Sequence, residues 1–206
     1  MKRKLYACTG VLSAAVLFVS TALAQRQEVG LTLSALTSGS KDSPGGSLNI
    51  GTGVAFQANY GFRLLGLPKV SLLGELHFLA SPKQEIQSSN TSATENFASL
   101  YVTPGIRLKF FPKSRISPYG AIGGGYALFE QSLTTIDGKP NNAPRYVNRG
   151  AFDFGGGLDF RLWHFVGGRI EVRDFYSGNP GFNVPVSGSG FHNVVAGGGF
   201  VLRFGS

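Results

Sequence analysis

Beyond residue 27 the chain alternates. In run after run, apolar residues occupy one parity while Gly, Ser, Thr, Asn or charged residues occupy the other, the period-two signature of strands with two unlike faces. Glu28 to Thr37 sets Val29, Leu31, Leu33 and Ala35 against Gly30, Thr32 and Ser34. Leu48 to Leu64 sets Ile50, Val54, Phe56, Tyr60 and Phe62 against Asn49, Gly51, Gly53, Gln57, Asn59 and Arg63. Lys69 to Ala80 opposes Val70, Leu72, Leu76 and Phe78 to Ser71, Glu75 and His77, and Asn96 to Phe111 opposes Leu100, Val102, Ile106, Leu108 and Phe110 to Thr103, Gly105, Arg107 and Lys109. Pro104 falls inside the fourth run, and a proline without an N–H predicts a bulge or kink there. Ser117 to Gln131 is a fifth run whose facing is blurred by Gly120, Gly123, Gly124 and Gly125. Gly150 to Leu162, Val166 to Tyr176 and Phe191 to Phe204 complete eight runs.

The connections alternate as well. Polar stretches 38–47, 81–95, 132–147 and 177–189 are long, whereas GLPK, PKSRI and WHF are short. Long loops at one end and tight turns at the other are the asymmetry of membrane-spanning barrels, whose strands need only about 9 to 11 residues to cross. The predicted fold is therefore all-β: an eight-stranded antiparallel up-and-down transmembrane β-barrel, with run eight pairing run one so that no edge is left unsatisfied in lipid. The long loops are expected outside the cell and the short turns inside it.

That arrangement accounts for the stretch 152–175, FDFGGGLDFRLWHFVGGRIEVRDF, in which Asp153, Asp159, Arg161, Arg169, Glu171 and Arg173 sit among large apolar residues. The apolar parity, with Phe152, Phe154, Leu158, Phe160, Ile170 and Val172, is expected to face acyl chains, and the charged parity the lumen. A structural charge network is predicted there from Asp159, Arg161, Arg169, Glu171 and Arg173, joined by Glu75 and Arg107 from other runs. With Trp163-His164-Phe165 as the loop, Leu162 opposes Val166, which sets Asp159 opposite Arg169 and Gly157 opposite Glu171. Open space over Gly157 is expected to let Glu171 lean toward Arg173 or an arginine from a neighbouring strand.

Composition narrows the class. Thirty Gly and seventeen Phe with 15% charged residues do not describe a helical soluble protein. Residues 1–24 combine the basic start MKRK, a short apolar core and Ala22-Leu23-Ala24, and are read as a cleaved signal-peptide helix. Residues 25–206 then form one barrel domain. Without Lys2, Arg3 and Lys4 the 19 basic residues become 16 against 11 acids, so the formal +8 falls to +5, with no basic run of the kind that binds nucleic acid. The single cysteine, Cys8, lies in the signal segment, leaving no disulfide, thiolate metal site or cysteine nucleophile beyond it.

The signal segment, Thr103-Pro104-Gly105-Ile106-Arg107-Leu108, Pro118 to Tyr126 (PYGAIGGGY), Gly155 to Leu162 (GGGLDFRL) and Arg169-Ile170-Glu171-Val172-Arg173 together resemble the small eight-stranded bacterial outer-membrane barrels, such as the membrane domain of OmpA, OmpX and the opacity-type adhesins. The resemblance spans essentially all of the chain after the signal. It implies export to the bacterial outer membrane, contact with outer-membrane lipid, and assembly by the barrel-assembly machinery. Family members tend to end on an aromatic residue; here Phe204 is followed by Gly205 and Ser206. No peptidoglycan-binding domain follows, so a wall anchor is not implied.

No catalytic, cofactor or metal residues are assigned. The glycine clusters lack the Lys-Ser/Thr ending of a phosphate loop. His77 is on the lumen parity, His164 in a turn and His192 on the lipid parity, with no pair at metal-ligand spacing. An eight-stranded barrel has room for side chains and little else inside it. The expected role is structural or adhesin-like, through four long extracellular loops that meet extracellular macromolecules. Two alternatives stay open: a lipid-acting barrel enzyme of deacylase or acyltransferase type, and a soluble lipocalin-like barrel, which would place apolar residues inside.

Overall fold

A computed structural model of the chain describes residues 26–205. The expected signal segment, residues 1–24, lies outside the described residues. Ten strands form: β1 (Gln27–Ser38), β2 (Lys41–Ser43), β3 (Gly46–Ile50), β4 (Gly53–Gly66), β5 (Val70–Ser88), β6 (Asn96–Phe110), β7 (Ile116–Gln131), β8 (Tyr146–Arg161), β9 (Val166–Gly178) and β10 (Gly190–Phe204). Eight of them make the barrel wall, while β2 and β3 form a small hairpin in the first long loop. All wall pairings are antiparallel between neighbours, and the circle closes where Gln27 to Ser38 of β1 runs against Phe204 to Asn193 of β10. No helix among the described residues is long and apolar enough to cross a membrane.

Register in the stretch 152–175 is the predicted one. Asp159 faces Arg169 and Gly157 faces Glu171, with the Leu162 N–H donating to the Val166 carbonyl at 3.2 Å. The space over Gly157 is not open, however. A Cβ there would lie 2.7 Å from the Tyr119 hydroxyl, because the ring of Tyr119 from β7 fills it.

Four local expectations are corrected. Pro104 introduces no bulge: its ladders to β5 and β7 keep one register on either side of it, and the shifts fall instead between Arg63 and Leu65 and between Ser81 and Gln84. The second run is two strands, broken at Gly51 and Thr52, so Ile50 turns inward with Leu48 whereas Val54 turns outward. Third, β5 continues to Ser88, since β3 pairs Leu48, Asn49 and Ile50 with its extension. β8 begins at Tyr146, ahead of the predicted Gly150. The blurred fifth run has a clear facing: Ser117, Tyr119, Ala121, Ala127 and Phe129 point in, and Ile116, Ile122 and Tyr126 point out.

Sidedness is inverted relative to a water-soluble barrel. Leu31 is 61% exposed and Phe200 65%, while Arg107 in the interior is 0%. An apolar belt of this extent around the whole wall is a surface made for hydrocarbon. The soluble lipocalin-like alternative requires the opposite facing and falls.

Candidate functional site

The interior is filled in two layers. Toward the long loops it is aromatic. Phe97 from β6, Phe129 from β7, Phe191 from β10 and Phe182 from the last long loop pack edge to face, with ring centroids 5.8 to 6.1 Å apart, all fully buried. Tyr101 and Phe175 continue the stack downward, their centroids 5.1 Å apart, to His77. Such edge-to-face pairs add stabilisation beyond the area they bury, about 0.5 to 1.5 kcal/mol each. This layer was missed in the sequence, although Phe97, Tyr101, Phe129, Phe175 and Phe191 all sit on the lumen parity of their strands.

Toward the short turns the interior is ionic. Arg169 donates from Nε to Asp159 Oδ1 at 2.7 Å and from its terminal nitrogens to Asp159 Oδ2 at 3.0 Å, Asn59 Oδ1 at 2.7 Å and Glu28 Oε1 at 3.1 Å. Arg173 reaches Asp153 at 2.7 Å, Glu75 at 2.6 Å and Glu171 at 3.4 Å. Arg107 bonds Glu28 at 2.6 Å and also Glu75, and Lys109 bonds Glu28 and, at 2.7 Å, Asp159. The Tyr119 ring is held between the Arg107 and Arg169 guanidinium groups, 4.7 and 4.8 Å away, while its hydroxyl donates to Glu171 at 2.7 Å. His77 lies between Glu75 at 3.2 Å and Gln57 at 3.0 Å.

Of the predicted network residues, Asp159, Arg169, Glu171, Arg173, Glu75 and Arg107 thus meet in one buried cluster. Arg161 does not. It is the last residue of β8, exposed at the turn end, and donates to the Pro112 carbonyl at 3.1 Å, because the barrel wall stops before its side chain can turn into the closed interior. Glu28, Lys109, Asp153 and Tyr119 complete the cluster and were not assigned to it from sequence. Lumen parity was the available signal for Glu28, Lys109 and Asp153, whereas Tyr119 lies in the run whose facing the glycines blur. The five carboxylates Glu28, Glu75, Asp153, Asp159 and Glu171 face four cationic groups, with Arg203 as a fifth at 3.6 Å from Asp159. A nearly neutral, mutually bonded set of this kind staples strands together and offers no fixed charge to a passing ion.

The long loops are tied into one cap. The Ser187 N–H donates to Asp42 O at 2.8 Å, Thr94 N–H to Phe182 O at 3.0 Å, Ile136 N–H to Ala93 O at 3.0 Å, and the Asn183 side chain to Ser92 O at 2.8 Å. Within the third loop, Lys139 and the Thr135 hydroxyl hold the Asp137 carboxyl down to about 2. At the outer rim, Tyr126, Tyr146 and Tyr176 face outward. There His192 Nδ1 lies 2.7 Å from Asp174, the one carboxylate paired with it on the outward face. Among the described residues no serine or threonine hydroxyl hydrogen-bonds to His192, and no group of His, Cys, Asp and Glu could hold a metal.

The chain has no match among curated protein sequences. It is similar in fold to Neisserial surface protein A, at 13% identity and a TM-score of 0.56 over 86% of this chain and 97% of that one. It is likewise similar to the outer membrane protein OprG from Pseudomonas aeruginosa, at 12% identity and a TM-score of 0.58 over 89% of this chain and 97% of that one. The outward apolar belt and the closed ring of eight strands agree with the family that residues 9–204 match, described as the outer membrane protein beta-barrel domain, and the chain belongs to that family of bacterial outer-membrane proteins.

Proposed function

We propose that the protein is a closed barrel acting at the cell surface, structural or adhesin-like, and that the cap of long loops is its contact surface. The observation that carries this reading is the filled interior. A fully buried aromatic layer including Phe182 from a loop, stacked on a buried ion cluster, leaves no path for solutes, so what can vary between partners is the loop end. Phe204, the last strand residue, is the group we assign to recognition by the barrel-assembly machinery.

Three measurements bear on it. In planar bilayers the purified protein is expected to show no steady conductance; stepwise pore openings would defeat the closed-barrel role. Because no cysteine follows Cys8, single replacements report orientation cleanly: on intact cells an impermeant maleimide should label Ser89→Cys in the second long loop and leave Ser114→Cys in a short turn unlabelled. The reverse pattern would place the cap in the periplasm. Cells expressing the protein should adhere to extracellular-matrix-coated surfaces, and exchanging loop 132–145 for a Gly-Ser segment should abolish that adhesion without unfolding the barrel. Equal adhesion of the two would remove the loops from the role.

The protein is read as non-catalytic. His192→Ala is expected to leave the acylation pattern of envelope lipid unchanged, and an altered pattern would favour the lipid-acting enzyme instead.

A further inference from the structure

The net charge of the barrel is not spread over it. The loop end carries Lys41, Lys83, Lys139, Arg145 and Arg149 against Asp42, Glu85, Glu95, Glu130, Asp137 and Asp174, and the interior carries four cations against five carboxylates. The short-turn end holds everything left over: Arg26, Arg63, Lys69, Lys113, Arg115, Arg161 and Arg203, with no acid at all. Six of these seven line a single cavity of about 670 Å³ that opens at that mouth, inside the ring of short turns; Lys69 is the exception.

Among the described residues the only ion pair any of them makes is the 3.6 Å contact of Arg203 with Asp159. Among the described residues Arg26, Arg63, Lys113 and Arg115 make no ion pair, and Arg161 finds only the Pro112 carbonyl. The two carboxylates nearest the cavity floor, Glu28 and Asp159, are taken up by Arg107, Lys109 and Arg169, leaving only a 3.6 Å contact from Asp159 to Arg203. Residues 1–25 contain three basic residues and no acidic one, so they bring no counter-charge to the mouth whether retained or removed. Like charges gathered around a concave, partly desolvated space repel one another, and a cluster of this kind is relieved by a bound anion. The ion layer above closes the cavity, which makes it a dead end and not a conduit.

We propose that the short-turn mouth is a binding site for a phosphate-bearing polyanion, held by the guanidinium forks of Arg63, Arg115, Arg161 and Arg203. Guanidinium groups match phosphate oxygens two at a time, and the cavity volume lies in the range of small-molecule sites. The inference rests on the fold and its charges and is independent of what the loop end contacts.

Trp163, the only tryptophan of the chain, lines the same cavity and serves as a reporter. The protein purified from membranes into zwitterionic detergent is titrated with sodium tripolyphosphate at about 0.15 M salt, where exposed charges more than about 8 Å apart are screened from one another. Saturable binding is expected in Trp163 fluorescence and in calorimetric heat. Arg115→Gln, at an exposed turn residue that makes no ion pair among the described residues, should weaken binding about tenfold, the scale of one charge-assisted hydrogen bond. Arg63→Gln should do the same, and Lys139→Gln at the loop end should change nothing. Absence of saturable binding by the unaltered protein would overturn the proposal, and so would a loss in Lys139→Gln equal to that in Arg115→Gln. Repeating the titration in phosphatidylcholine nanodiscs with and without phosphatidylglycerol identifies the source: weakened binding in the anionic discs assigns the site to lipid headgroups, and unchanged binding to a soluble anion.

Discussion

Arg169→Met is expected to destabilise the barrel by about 3 to 5 kcal/mol, the cost of removing one partner from a buried ion pair. Arg169 is fully buried and is the common partner of Asp159, Glu28 and Asn59, as well as one of the two cations on the Tyr119 ring. Methionine restores most of the packing volume and none of the donors. Asp159 would keep Lys109 and the longer contact to Arg203, but its bidentate partner would be gone, in an interior where little water can replace it. The effect should therefore exceed that of any single change at the exposed turns. Urea unfolding in detergent, followed by Trp163 fluorescence and by gel mobility, measures it. A double replacement, Arg169→Met with Asp159→Asn, should recover part of the loss, because it removes a stranded charge along with its partner. A loss under about 1 kcal/mol, or a double variant whose loss is the sum of the two singles, would show that the cluster is solvated and not a staple.

The wall was legible because its signal is local. Alternation at Leu31, Leu33, Phe152, Phe154, Ile170 and Val172 follows from one face meeting hydrocarbon, and the odd and even positions of a strand report it without knowledge of any neighbour. Register between β8 and β9 was legible for the same reason, since parity excludes a two-residue loop between Leu162 and Phe165. The interior was less so. Parity places Phe97, Phe175 and Arg173 all on the lumen side but does not say at what height along the barrel each sits, and height is what separates an aromatic layer from an ionic one. Tyr119 shows the difficulty most plainly. It lies in the run whose glycines hide the facing, yet it fills the space over Gly157 on the next strand and binds Glu171 two strands away. The break at Gly51 and Thr52 was invisible because Ile50 and Val54 share a parity; only the pairing of β3 with the extension of β5 turns one inward and leaves the other outside.

Gly199→Ala is expected to obstruct closure of the barrel, where Gly120→Ala on the outward face of the wall does not. Gly199 lies on β10 opposite Thr32 of β1, at the seam that joins the first and last wall strands. A Cβ at Gly199 would sit 1.9 Å from the Leu31 carbonyl oxygen and 2.7 Å from the Thr32 Cα, and two residues away Gly197 would meet the Leu33 carbonyl at 2.2 Å. The obstacle in each case is backbone of the partner strand, which cannot swing aside as a side chain does. Closing only eight strands forces a strong inward curvature, and the inward Cβ positions are where that curvature crowds. Overpacking a side-chain core costs about 1 to 3 kcal/mol, and displacing the seam backbone should reach or exceed the top of that range. Gly120 supplies the comparison. It is also a strand glycine, but its Cβ would find nothing closer than the Gly155 carbonyl at 3.9 Å, so Gly120→Ala should change stability by no more than about 0.5 kcal/mol. The folded fraction in unheated gel samples, after refolding into detergent at matched concentrations, distinguishes them. Gly199→Ala should leave most of the chain unclosed while Gly120→Ala folds as the parent does; equal yields from both would mean that the seam tolerates a Cβ and that the inward glycines of β10 are not required by closure.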